Sequence, residues 1–129
     1  MAQQVGRMHA AFPWLHYSLK RNEIVWKGTF RPFALSKEYA VRIEFEIGRR
    51  PKVRILAPSL ATDPNRKVPH TFIDGSLCLH LNEEWSSRFF IADVIMPWLV
   101  EWLFFYETWL VTGKWYGGGH GEEIQNPVD

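Results

Sequence analysis

The sequence predicts a single α+β domain in which an antiparallel β-meander is covered by a long, aromatic-rich C-terminal helix. Residues 39–47 alternate between apolar and polar side chains, which indicates a strand with one buried and one solvated face. Residues 89–112 are apolar around most of a helical circumference. The 129 residues are 47 % hydrophobic and 22 % charged, a balance typical of one globular domain. We assign 1–129 to that domain and expect about 117–129 to form a flexible glycine-rich tail.

The N-terminal region is expected to contain a short helix over residues 8–20, which Pro13 interrupts and which ends near Arg21. Residues 23–31 change to an apolar period of two, so they form the first predicted strand, and Pro32 ends it.

The second predicted strand has the clearest pattern. Its inward face carries Tyr39, Val41, Ile43, Phe45 and Ile47. After a turn at 48–51, residues 52–56 form a third strand. Three strands with short connections make a meander, and another element must cover its apolar face.

The long helix is predicted over residues 89–112, with Ser86 or Ser87 as its N-cap, and Pro97 should bend or divide it. An aromatic stripe recurs at helical spacing and consists of Trp98, Trp102, Phe105 and Trp109. One side of a helix suffices to cover a sheet. The rest of the helix is therefore either core, covered by the flanking chain, or a protein interface with Trp102 or Trp109 as its anchor.

Composition excludes several functions. A net charge of +1 does not indicate the positively charged surface that binds nucleic acid. The N-terminus lacks the apolar segment of a signal peptide. Residues 95–111 contain Pro97, Glu101 and Glu107 and fall short of the roughly 20 apolar residues of a membrane span. We expect a cytoplasmic protein without nucleic-acid or membrane partners, and its single cysteine excludes an intramolecular disulfide.

That cysteine, Cys78, follows a turn signal at Asp74-Gly75 and has His70 and His80 nearby. Such a residue is a small buried hydrophobe, a metal ligand or a nucleophile. A metal site would use His70, Cys78, His80 and His120 as ligands. Structural zinc sites usually have a pair of closely spaced ligands at each end of the motif, and here the second pair is absent. We therefore predict no metal. We also predict no cofactor, because no strand precedes the Gly117-Gly118-Gly119 run and no helix follows it.

The order of elements and motifs over residues 23–111 resembles the ubiquitin-conjugating enzyme (UBC) fold. The family's proline-lysine-valine strand is matched by Pro51-Lys52-Val53, and the histidine of its histidine-proline-asparagine corner by His70. Its active-site motif resembles Gly75-Ser76-Leu77-Cys78-Leu79, and its tryptophan-serine-proline resembles Trp85-Ser86. This resemblance favours the nucleophile interpretation of the cysteine.

The chain departs from the family at two places. Thr71 and Phe72 stand where the family has proline and the asparagine that is held to stabilise the thioester oxyanion. The family's two helices after the first long helix are missing or reduced. With the short N-terminal helix, these departures resemble the divergent bacterial members of antiviral CBASS operons, in particular the stand-alone type without a fused activating domain.

The resemblance implies that Cys78 carries the C-terminus of a protein partner as a thioester and transfers it to an amine. His80 would orient or deprotonate that amine, or is a surface histidine. Asn82 is a candidate replacement for the oxyanion donor. His70 would shape the loop, and Trp85 would pack the loop onto the helix.

The implied partner is a cGAS-like nucleotidyltransferase that binds through its C-terminus, and a second copy of this chain, forming a homodimer, is the other partner considered. A separate activating enzyme is expected, because the chain has no nucleotide-binding glycine motif. The alternative is a non-catalytic UBC-like binding module that regulates the partner.

Overall fold

The computed structural model describes residues 1–60, 67–79 and 85–117. The elements in chain order are α1 (Ala2–Ala11), β1 (His16–Lys20), β2 (Glu23–Phe30), β3 (Tyr39–Glu46), β4 (Lys52–Ala57) and α2 (Ile91–Thr112). The strands form a four-stranded sheet in the order β1-β2-β3-β4, and each neighbouring pair is antiparallel. The predicted α+β arrangement of an N-terminal helix, an antiparallel meander and a long C-terminal helix is confirmed.

The N-terminal segment differs from the prediction. The helix ends at Ala11 rather than running through residues 8–20, and β1 pairs with β2 from His16↔Lys27 to Lys20↔Glu23. Pro13 explains the early end, since its ring restricts the preceding residue and removes a helical donor. Every side chain of β1 is exposed, so this edge strand carries no alternation of burial that could have signalled it.

The apolar face of the sheet is the predicted one. Ile24 and Trp26 on β2, Val41 and Ile43 on β3, and Val53 on β4 are all buried. Ile47, which was predicted to continue the inward face of β3, is instead 55 % exposed. β3 ends at Glu46, and the turn that follows contains Gly48 in the left-handed region at φ +86°.

Helix α2 covers this face as the core helix of the domain. Its fully buried side chains are Ile91, Ile95, Met96, Leu99 and Leu103. The helix continues through Pro97, so of the two predicted effects of this proline, a bend or a division, the division is wrong. Pro97 lies on the exposed side of α2. The backbone carbonyl that loses its N–H donor is therefore near solvent, where a proline costs least.

The N-terminus of α2 is capped from another element. Its N-cap residue is Phe90, which makes no side-chain cap, so the predicted cap by Ser86 or Ser87 is wrong. Instead the Gln4 side chain of α1 accepts a hydrogen bond from the Ile91 backbone N–H at 3.0 Å and donates to the Phe89 carbonyl at 2.9 Å. A tertiary contact thus satisfies a donor that a local serine was expected to satisfy.

The aromatic stripe of α2 is largely core. Trp102 and Trp109 are 4 % and 5 % exposed, so the prediction that one of them anchors a protein interface is wrong. The chain reverses at the C-cap Gly113, whose φ is +78°. This reversal brings the Trp115 ring to 5.3 Å from that of Trp102.

By length and composition alone α2 could also cross a membrane, which is weak evidence because the core helices of soluble proteins pass the same test. Nine of its side chains are buried within the domain. Packing of this kind is that of a core helix.

Candidate functional site

A short β-hairpin holds the cysteine. The Cys78 N–H donates to the His70 carbonyl at 2.8 Å, and the Phe72 N–H donates to the Ser76 carbonyl at 2.8 Å. Between them the Gly75 N–H donates to the Phe72 carbonyl at 2.9 Å, and Gly75 adopts φ +89°. A residue with a Cβ is strained in that conformation. The structure therefore places a tight turn where the sequence predicted one.

Asp74 closes this turn and ties it to the sheet. Its carboxylate accepts hydrogen bonds from the Ser76 hydroxyl at 2.6 Å and the Ser76 N–H at 2.9 Å. The other carboxylate oxygen lies 3.1 Å from Lys52 Nζ and 3.4 Å from Arg54 Nη2. The hydrogen bonds from Ser76, and secondarily Lys52, hold the pKa of Asp74 well below its usual range. The basic residues of β4 thus help to fix the hairpin.

The hairpin is also joined to β4 through its backbone. The Leu77 N–H donates to the Val53 carbonyl at 2.9 Å. Leu77 and Leu79 are buried and belong to the hydrophobic core. Cys78 lies between them, is 3 % exposed and lines a cavity. The two leucines thus anchor the segment that carries the cysteine.

His70 links the hairpin to α2. Its backbone is in the left-handed region at φ +55°, which is uncommon for a residue other than glycine. Its carbonyl oxygen accepts from the Cys78 N–H and also from Trp102 Nε1, at 3.2 Å. Its ring stacks on Trp115 with 5.0 Å between centroids. One residue therefore positions the cysteine, the helix and the chain that follows the helix.

The cavity beside the cysteine has a volume of about 350 Å³. Its walls include Cys78, His70, Trp98, Glu101, Trp102 and Trp115. The chain that follows Gly113 contributes Trp115 and Gly117 to the cavity. A Cβ added at Gly117 would collide with the Phe105 ring. The Cys78 residue thus lies beside a mainly aromatic cavity.

The predicted site residues are only partly placed. Cys78 and His70 line the same cavity. His80 and Asn82 lie outside the described residues, so their roles stay predictions. Trp85 contacts Phe45 of β3 at 6.3 Å between ring centroids and Phe89, just before α2, at 5.7 Å.

Two wall residues of the cavity were missed. Glu101 and Trp115 line the cavity, although neither carried a predicted role in the site. Glu101 interrupts the apolar surface of α2, and this was the available signal. Trp115 was expected only as part of the flanking chain that could cover α2, because its place beside Cys78 depends on how the chain turns after the helix.

The structure describes only part of the metal site that the sequence offered as an alternative. Two of its four ligands, His80 and His120, lie outside the described residues. Within residues 1–60, 67–79 and 85–117, no group of three or more His, Cys, Asp or Glu side chains could hold a metal ion.

An α+β domain with a single cysteine in a hairpin beside a long core helix has the features of an E2-like protein. The family described as type II CBASS E2 protein matches residues 4–123, a range that contains every strand, the Cys78 hairpin and α2. The chain belongs to this type II CBASS E2 family. Its role is accordingly E2-like, within CBASS antiphage defence and alongside other CBASS components. A comparison with curated proteins found no match.

Proposed function

We propose that Cys78 accepts the C-terminal acyl group of a protein partner as a thioester and passes it to an amine. The observation that carries this proposal is the position of the only cysteine, held by the hairpin at the wall of a cavity large enough for a few side-chain atoms. A thiolate is a strong nucleophile, and its thioester remains activated toward nitrogen.

The chemistry is an exchange followed by a transfer. In the first step the Cys78 thiolate attacks the activated C-terminal carbonyl of the partner, and the activating group leaves as the C–S bond forms. In the second step an amine attacks the same carbonyl carbon. The C–N bond forms, the C–S bond breaks, and Cys78 leaves as the thiolate.

The proposed partner is a cGAS-like nucleotidyltransferase, because the CBASS E2 family acts with other CBASS components. Its C-terminus would occupy the place that a modifier's C-terminus has in ubiquitin conjugation. A separate activating enzyme would supply the activated acyl group, since the chain carries no nucleotide-binding glycine motif.

Stabilisation of the oxyanion must differ from that of the wider UBC family. Thr71 and Phe72 occupy the family's proline and asparagine positions. The Thr71 hydroxyl donates to the Val68 carbonyl at 3.0 Å, and the Phe72 N–H donates within the hairpin. These two donors are already used. We assign the role to His80, Asn82 or a nearby backbone amide.

One observation favours a second candidate function. Cys78 is almost fully buried, whereas a thiol that exchanges acyl groups must be reached by a large partner. A non-catalytic E2-like module that binds and regulates the nucleotidyltransferase would need no such access.

Reconstitution with the nucleotidyltransferase and an activating enzyme separates the two candidates. Binding and conjugate formation are measured in parallel for the wild-type protein and for Cys78→Ala. The transferase predicts that the variant binds the partner normally and forms no conjugate. If Cys78→Ala forms as much conjugate as the wild-type protein, Cys78 is not the acyl carrier and the binding module is the correct function.

A further inference from the structure

Glu101 gives the Cys78 cavity a negative charge. The residue is exposed on α2 and lines the cavity together with the thiol. Among the described residues, no Lys or Arg forms an ion pair with it. A carboxylate that lines a cavity and has no Lys or Arg ion-pair partner in the described part of the chain is available to a cationic ligand.

The remaining walls suit the same kind of ligand. Three of the wall residues are tryptophans, Trp98, Trp102 and Trp115. The face of an aromatic ring carries negative electrostatic potential and attracts an ammonium group, and tryptophan does so best. A contact between an ammonium and an aromatic ring already exists beside the cavity. Lys114 Nζ lies 5.2 Å from the centroid of the Tyr116 ring, and Tyr116 is one of the wall residues. A cavity lined by tryptophans and one carboxylate thus matches an ammonium in charge.

We infer that this cavity binds the primary ammonium group of the acceptor, such as a lysine side chain, with Glu101 as its charge partner. The inference rests on the proposed function, because it assigns the second substrate of the same thiol. The thioester carbonyl on Cys78 would lie at one wall of the cavity, and the amine would enter beside it. The site therefore selects amines over neutral nucleophiles such as alcohols.

The transfer step then balances as follows. Glu101 holds the ammonium in place, and the base of the transfer step takes one proton from it and passes that proton to water. The neutral amine attacks the thioester carbon, the C–N bond forms and the C–S bond breaks. The second proton leaves the nitrogen for the departing Cys78 thiolate. The products are an amide and the regenerated thiol.

A binding experiment on the unloaded protein tests the site without any conjugation. n-Butylammonium chloride is titrated against the full chain while tryptophan fluorescence is followed, and n-butanol serves as the neutral probe of the same shape. We expect n-butylammonium to quench the fluorescence of the wild-type protein in a saturable way and n-butanol to have little effect. Glu101→Gln should bind n-butylammonium about tenfold more weakly, which corresponds to the loss of one favourable charge contact. Glu38→Gln, an exposed carboxylate that does not line this cavity, is the matched control.

A kinetic experiment on the loaded protein completes the test. Discharge of the Cys78 thioester to n-butylamine should show a KM about tenfold higher for Glu101→Gln, with the loading rate unchanged and Glu38→Gln equal to wild type. Equal binding of n-butanol and n-butylammonium, or an unchanged KM in Glu101→Gln, would overturn the inference. If the wild-type protein binds n-butylammonium but never forms a thioester, the proposed function fails and the ammonium site stands.

Discussion

The indole Nε1 of Trp102 donates a hydrogen bond of 3.2 Å to the backbone carbonyl of His70. The same oxygen accepts the N–H of Cys78 at 2.8 Å. The core helix and the cysteine therefore share one acceptor. Because Trp102 is fixed by packing inside the domain, the position of the thiol depends on the core rather than on the loop alone.

Trp102→Phe tests this coupling. The substitution keeps an aromatic ring but removes the donor to His70, so we expect the free energy of unfolding to fall by about 1 to 3 kcal/mol from the lost hydrogen bond and the smaller ring. The rate at which a small disulfide reagent modifies Cys78 should rise, because the hairpin is held less firmly.

The matched control for this change is Trp14→Phe. Trp14 stacks on Phe30 and is not a wall residue of the Cys78 cavity. This control should change stability without changing thiol reactivity. If both variants alter the reactivity of Cys78 equally, the bond from Trp102 does not position the thiol.

Asp74→Asn tests the turn of the cysteine hairpin. At neutral pH we expect it to lower the free energy of unfolding by about 1 kcal/mol, because it weakens charge-assisted hydrogen bonds at a partly exposed site. The measurement is urea unfolding of both proteins at pH 7. A variant as stable as the wild type would show that the carboxylate contributes nothing to the turn.

The same pair of proteins has a predicted pH dependence. The pKa of Asp74 lies below the ordinary value of 3.8 in the folded state, so the folded state favours the ionised form. Its stabilising contribution is complete above that ordinary value and is lost as the pH falls below it toward the folded-state pKa. The difference in stability between wild type and Asp74→Asn should therefore be constant from pH 6 to 8 and shrink below about pH 4. A difference that grows on acidification would contradict the cause given for the lowered pKa.

His80→Ala tests the predicted role of that residue in amine transfer. We expect the variant to slow discharge of the thioester to an amine more than it slows loading of Cys78. Deprotonating an amine requires a base, whereas thiol exchange near neutral pH depends on one less. Separate single-turnover rates for loading and discharge provide the measurement. Wild-type rates in both steps would make His80 a surface histidine.

The sheet and the core helix could be predicted because each carries a local pattern. Period-two alternation marked β3, and a nearly continuous apolar surface marked α2. β1 could not be found in this way, since its side chains are all exposed and its pairing with β2 alone defines it. The cap of α2 was also out of reach, because Gln4 provides it from more than eighty residues away.

The same distinction between local patterns and long-range contacts applies to the candidate site. The turn before Cys78 was predictable from Asp74-Gly75, a pair of residues whose backbone preferences are local. The cavity was not, because it forms only when the chain reverses at Gly113 and places Trp115 over His70. Contacts between segments far apart in sequence leave no periodic signal.

The most direct test of the central proposal is the intact mass of this protein after incubation with the nucleotidyltransferase and its activating enzyme. We predict that the wild-type protein gains the mass of the partner and loses it on treatment with a reducing thiol. Cys78→Ser should retain a more slowly discharged, thiol-resistant oxyester, and Cys78→Ala should gain no mass while remaining folded. A partner adduct of wild-type yield on Cys78→Ala would contradict the assignment of Cys78 as the acyl carrier.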